Sequence, residues 1–117
     1  MSVIEVDGAR YPINQVRFFG TEKMALDQSF TLKDSAGSAI DLTDATFNFV
    51  LGDSITEATS GVTITGGGSA GTITVSITDA AMAGIVAGVY EYGLSYTVVD
   101  RTFLVAAGTY TARASNL

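Results

Sequence analysis

The stretch Thr72-Ile73-Thr74-Val75-Ser76-Ile77 decides how this chain is read. Ile73, Val75 and Ile77 fall on one side of an extended backbone, and Thr72, Thr74 and Ser76 on the other. Successive side chains of a strand point to opposite faces, so strict alternation marks a strand with one face buried. The same period appears outward in both directions. Tyr90, Tyr92, Leu94, Tyr96 and Val98 alternate with Glu91, Gly93, Ser95 and Thr97 over residues 89–98. Phe47, Phe49 and Leu51 alternate with Thr46, Asn48 and Val50, and Leu26, Gln28, Phe30 and Leu32 with Asp27, Ser29 and Thr31. Residues 102–111 predict a closing strand in which Phe103 and Val105 alternate with Leu104 and Ala106. Val62–Thr65, Val3–Val6 and residues 10–19 are shorter extended candidates.

Turn residues separate these runs at short intervals. Asp34-Ser35-Ala36-Gly37-Ser38, Gly52-Asp53-Ser54, Gly66 to Gly71 and Val99-Asp100-Arg101 lie between strands. Asp and Ser bond back to the local backbone, and Gly reaches positive φ, so such clusters favour reversals. Asp7-Gly8 is a two-residue hairpin signal of the I′ kind. One stretch breaks the pattern. Thr78 or Asp79 could cap a short helix in which Met82 and Ile85 share an inward face, with Gly88 ending it. The prediction is an all-β, antiparallel immunoglobulin-like β-sandwich with one short helical turn near residues 79–86. The sandwich occupies residues 26–117, preceded over residues 1–25 by an N-terminal arm or extra hairpin.

Composition narrows the chemistry. The chain has 117 residues, enough for one domain with an ordinary core. It is 47% hydrophobic and only 15% charged, with net charge −6. It holds no Cys and no His, which excludes disulfides, Cys/His metal sites and histidine-based nucleophile machinery. The cations are Arg10, Arg17, Lys23, Lys33, Arg101 and Arg113, so the middle of the chain is purely anionic. A nucleic-acid binder needs several cations on one face to neutralise phosphates, and none is expected here. No basic and apolar leader is evident at Met1–Arg10, and no apolar run approaches a membrane span.

Motifs that could carry chemistry have plainer explanations. Gly66 to Gly71 matches G-x-G-x-x-G, but a strand and not a helix follows it, so no helix N-terminus is available for phosphate. Asp34, Asp41, Asp44 and Asp53 follow no calcium-loop spacing and read as turn acids. No catalytic residue, metal ligand or cofactor is assigned. Tyr90, Tyr92 and Tyr96 could form a sugar platform, yet their spacing beside Leu94 and Val98 favours core positions. Adjacent Phe18 and Phe19 cannot both face one core from a regular strand. One of them meets either a bulge-induced pocket or another subunit. Tyr11, Arg17, Phe18 and Phe19 are therefore the candidate protein-interaction residues.

The order of signals from Phe30 onward also carries a resemblance. Asp34-Ser35-Ala36-Gly37-Ser38-Ala39-Ile40-Asp41-Leu42-Thr43-Asp44-Ala45-Thr46-Phe47-Asn48-Phe49 is followed by the Thr72–Ile77 strand, an Ala-rich stretch and Ala87-Gly88-Val89-Tyr90-Glu91-Tyr92-Gly93-Leu94. This resembles the immunoglobulin-like domain of small tailed-phage virion proteins, including the N-terminal domain of the baseplate upper protein. The likeness covers about residues 26–111, with Asp44 standing where Gly is commoner. It implies a non-enzymatic structural role in the tail, baseplate or fibre, or as capsid decoration. The implied partners are other virion proteins and copies of the chain itself, with no nucleic acid and no membrane. The implied location is the virion, after synthesis in the host cytoplasm without a signal peptide. The rival expectation is a carbohydrate-binding or adhesin-type sandwich that takes a host glycan.

Overall fold

The computed structural model describes residues 3–6, 9–12, 16–34, 36–52, 54–66, 68–98 and 100–114, and for residues 3–12 the backbone alone. Ten strands follow in chain order: β1 (Val3–Val6), β2 (Ala9–Pro12), β3 (Val16–Thr21), β4 (Leu26–Lys33), β5 (Thr46–Leu51), β6 (Ile55–Thr56), β7 (Val62–Thr65), β8 (Thr72–Ile77), β9 (Gly88–Val98) and β10 (Arg101–Arg113). They form two five-stranded sheets, ordered β2-β1-β4-β8-β7 and β3-β10-β9-β5-β6. From β3 onward the chain passes repeatedly between the sheets, and all described residues are strand, turn or loop. This is an all-β, immunoglobulin-like sandwich.

Alternation builds the core. β8 buries Ile73, Val75 and Ile77, and its register sets Ile73 opposite Phe30 of β4. The second sheet contributes Phe49, Leu51, Tyr92, Leu94 and Tyr110. Leu42, Met82 and Ile85, from the connections, complete the same cluster. Phe18 stands edge-on to Tyr92, with ring centroids 4.8 Å apart, and edge-on to Phe30 at 5.8 Å, so one aromatic knot joins both layers.

Among the described strands, all pairings but one are antiparallel. β3 lies parallel to β10, from Val16 opposite Gly108 to Thr21 opposite Arg113. Gly108 permits this approach: its φ is 155°, and a Cβ there would run into the Val16 carbonyl oxygen. The Tyr92 hydroxyl donates to that same carbonyl at 3.1 Å and anchors β3 from within. The chain before Leu26 is thus divided between the sheets. The β1–β2 hairpin extends the first sheet beyond β4, and β3 is an edge of the second. Val6 pairs with Ala9, as a two-residue loop requires; Asp7 and Gly8 themselves lie outside the described residues.

Two expectations need correction. Residues 79–86 form successive turns and no helix. The Met82 amide bonds to the Thr78 carbonyl with helical spacing, but Ala83 then bonds to Ala80 and Ile85 to Met82, one residue tighter. So short a segment, with Gly84 inside it, gains too few bonds to offset helix nucleation. Thr78 still caps the first turn, its Oγ1 accepting from the Ala81 amide at 3.3 Å, and Met82 and Ile85 still point inward. The simple alternation predicted for β10 also fails. Leu104 pairs with Ser95 and Ala106 with Leu94, leaving Val105 as an extra residue. This β-bulge buries Val105 and Ala106 in succession and reverses the facing of everything after it.

Candidate functional site

Facing within β3 separates the two adjacent phenylalanines. Val16 and Phe18 turn inward, Phe18 with 3% of its surface exposed. Arg17 and Phe19 turn outward, Phe19 with 52% exposed. Any contact this pair makes with another molecule therefore falls to Phe19. The Arg113 guanidinium sits over the Phe19 ring, 5.0 Å from its centroid, and holds one side of it. The backbone of Tyr11 lies on β2, opposite Ile4 in the first sheet; its side chain is outside the described residues. Arg17 and Phe19 thus share the outer face of the second sheet, while Tyr11 belongs to a strand of the first.

Registers across β3, β10 and β9 lay that outer face out in rows. Phe19 pairs with Thr111, which pairs with Val89; Arg17 pairs with Thr109, which pairs with Glu91. Phe19 and Val89 therefore flank one threonine, and Val89 is 67% exposed. Val86 is exposed just before β9. Its carbonyl accepts from the Tyr90 hydroxyl at 2.7 Å, and the Ala87 amide donates to the Glu22 carboxylate at 3.0 Å. Both bonds fix the approach to this apolar end of the sheet.

Further along the face, Val50 and Leu104 stand on either side of Gly93 and Ser95. They rim a shallow concavity of about 340 Å³ that Asn48, Thr56 and Glu57 help to line. Val50, Val86, Val89 and Leu104 were not singled out by sequence reasoning. For Val50 and Val89 a signal existed: each is an apolar residue at an outward position of an alternating strand. Leu104 was outward by the same rule, whereas Val86 lies outside any strand.

The other candidate motifs serve local structure. Asp34 Oδ1 accepts from the Ala36 and Ser38 amides. Asp41 Oδ1 accepts from the Thr43 hydroxyl and the Thr43 amide, which hold its pKa below the ordinary carboxylate value. Asp44 occupies the left-handed region at φ 63°, and Asp53 lies outside the described residues. Among the described residues, no three acids gather into a metal-sized group. In the glycine-rich loop, the Gly68 and Gly71 carbonyls accept from the Leu42 and Leu32 amides, which tie that loop to the first sheet's end. Tyr92 and Tyr96 are buried and Tyr90 is half-buried, so the three do not form an open aromatic platform.

No family model matches the chain, and no curated protein matches it. Among solved structures, the Lin-41 filamin domain superposes with a TM-score of 0.49 at 16% identity, over 94% of this chain and 91% of that one. That likeness is too loose to carry a functional argument.

Proposed function

We propose that this protein is a non-enzymatic structural component of a tailed-phage virion, placed in the tail, baseplate or fibre or decorating the capsid. Its activity is contact: it binds neighbouring virion proteins through the outer face of the second sheet. Phe19 carries that reading, as a large ring held outward beside Arg113 and in one row with exposed Val89. Aromatic and arginine side chains dominate protein–protein hot spots, and a scattered single apolar residue would mean less. The virion assignment is supported by the ordered motifs from Asp34 to Phe49 and from Ala87 to Leu94.

Immunogold labelling and mass spectrometry of particles from the phage encoding this chain test the assignment. The protein is expected in purified particles, and a Phe19→Ser variant is expected to enter them about tenfold less. Particles that lack the protein, or a glycan array that it binds while absent from particles, would overturn the proposal.

A further inference from the structure

Each sheet of the sandwich ends in two edge strands, and an unprotected edge invites another strand to pair with it. Three of the four edges carry a known deterrent. β2 contains Arg10 and Pro12. β3 contains Arg17. β6 is two residues long, and beyond it the Glu57 carboxylate accepts from the Phe49 amide at 2.9 Å, closing the edge of β5 with a negative charge. β7 reads Val62-Thr63-Ile64-Thr65: β-branched throughout, with no charge, no proline and no bulge.

The free hydrogen-bonding groups of β7 can be named. The Thr78 amide donates to the Gly61 carbonyl, so odd-numbered residues of this strand face β8 and even-numbered residues face outward. The Val62 amide is already engaged, donating to the Thr59 carbonyl at 3.1 Å. Among the described residues, what remains without a partner on the open side is the Val62 carbonyl, both groups of Ile64 and the Gly66 amide. That set is self-complementary. If a second copy approaches antiparallel on a two-fold axis at Ile64, each Ile64 amide donates to the Ile64 carbonyl of the other copy. Each Gly66 amide then donates to a Val62 carbonyl. Four hydrogen bonds form, and the Val62–Thr59 bond is kept.

Charge selects the same place. Two copies of a −6 protein repel one another at most approaches. From Ala58 to Thr78, however, no residue is charged. The outer face beside the edge is a hydroxyl array of Thr63, Thr65, Thr72, Thr74 and Ser76. The junction would bring no like charges together.

We propose that β7 is a self-association edge, through which two copies of this chain pair antiparallel into one continuous ten-stranded sheet centred on Ile64. The proposal goes beyond the virion reading and does not depend on it, since it uses a different surface from Phe19. With so short a strand the dimer is weak, with a dissociation constant on the order of 0.1 mM.

In this register Thr63 of one copy stands opposite Thr65 of the other, and both side chains are exposed. That gives a charge-swap test on the purified full chain, read by sedimentation velocity and NMR amide exchange up to about 1 mM protein. The native chain is expected to dimerise with concentration, and the Ile64 and Gly66 amides to gain protection in step. T63K/T65K sets lysine against lysine across the axis and is expected to bind about tenfold more weakly. T63K/T65E sets lysine against glutamate and is expected to return to within about threefold of native. Native-like thermal melts show that the variants fold, and the native chain's amide exchange needs no variant. A native chain that stays monomeric overturns the proposal. So does a T63K/T65K variant that dimerises like native, or a T63K/T65E variant as weak as T63K/T65K.

Discussion

The hydroxyl of Tyr110 is buried against Gly20 and has no hydrogen-bond partner among the described residues. The Tyr110 ring fills the space that any side chain at residue 20 would need, since a Cβ there would meet Tyr110 Oη. A buried polar group without a partner keeps its desolvation penalty and gains nothing in return. Tyr110→Phe removes the oxygen and leaves the ring packed on Phe18. It is expected to raise unfolding stability by about 1 kcal/mol in a urea titration. Gly20→Ala is expected to lower stability by about 2 kcal/mol, because the ring must shift.

The same hydroxyl gives stability a dependence on alkaline pH. Burial first, and the charge of Tyr90 second, push the Tyr110 pKa above its ordinary value of 10.0. The unfolded chain therefore loses this proton at lower pH than the folded one. The contribution is complete below about pH 10 and is lost as pH rises toward the folded value. The stability of Tyr110→Phe is expected to fall less steeply than that of the native protein between about pH 9 and 11.

Gly108 should tolerate no side chain. Its Cβ would strike the Val16 carbonyl, and among the described residues β3 pairs with nothing in the second sheet except β10. Gly108→Ala is expected to cost about 3 kcal/mol or more and to release β3 from the sheet. Limited trypsin digestion would show this as faster cleavage after Arg17. Unchanged cleavage would mean that contacts other than the β3–β10 approach at Gly108, such as buried Phe18 and the Tyr92–Val16 hydrogen bond, suffice to hold β3.

Asp44 sits at φ 63°, where glycine has no steric penalty. Asp44→Gly is expected to leave stability equal or raised by less than about 1 kcal/mol, and Asp44→Ala to lower it by about 1 kcal/mol. Thermal melts of the pair check this, and equal melting temperatures would argue against a backbone cause.

Thr43 governs the titration of a neighbouring acid. Its hydroxyl, 2.6 Å from Asp41 Oδ1, is the larger cause of that carboxyl's lowered pKa, and its amide is the second. Thr43→Val removes the hydroxyl and is expected to raise the Asp41 midpoint in an NMR titration. The turn gains stability from the ionised form, so this contribution is present at neutral pH and fades as pH falls through the folded midpoint.

Residues with strict alternation were the legible ones. Leu26–Lys33, Thr46–Leu51, Val62–Thr65 and Thr72–Ile77 are strands over those same bounds. Their signal is local, because the alternation is carried by consecutive residues. What depended on distant partners was not legible. β6 has two residues and exists because Ile55 and Thr56 meet β5. The bulge at Val105 arises from pairing with β9, and no local motif announces it. The turns at 79–86 carried the caps of a helix but lacked its length. Of the candidate site, the need to part Phe18 from Phe19 was readable, but which one faces outward was not. That was decided by the register of β3 on β10, including the approach that Gly108 allows.

The parallel contact between Val16 and Gly108 has a consequence for biogenesis. β3 leaves the ribosome long before β10, so the strand it pairs with among the described residues does not yet exist while most of the chain is being made. During that interval Phe18 lacks Tyr92 and Tyr110, two of the rings it packs on in the fold, and incompletely buried apolar surface makes a nascent chain prone to clumping and chaperone capture. Closure waits for the late segment, a long-range step of the kind that slows folding. Yield in the cell should then follow how quickly translation reaches Arg113.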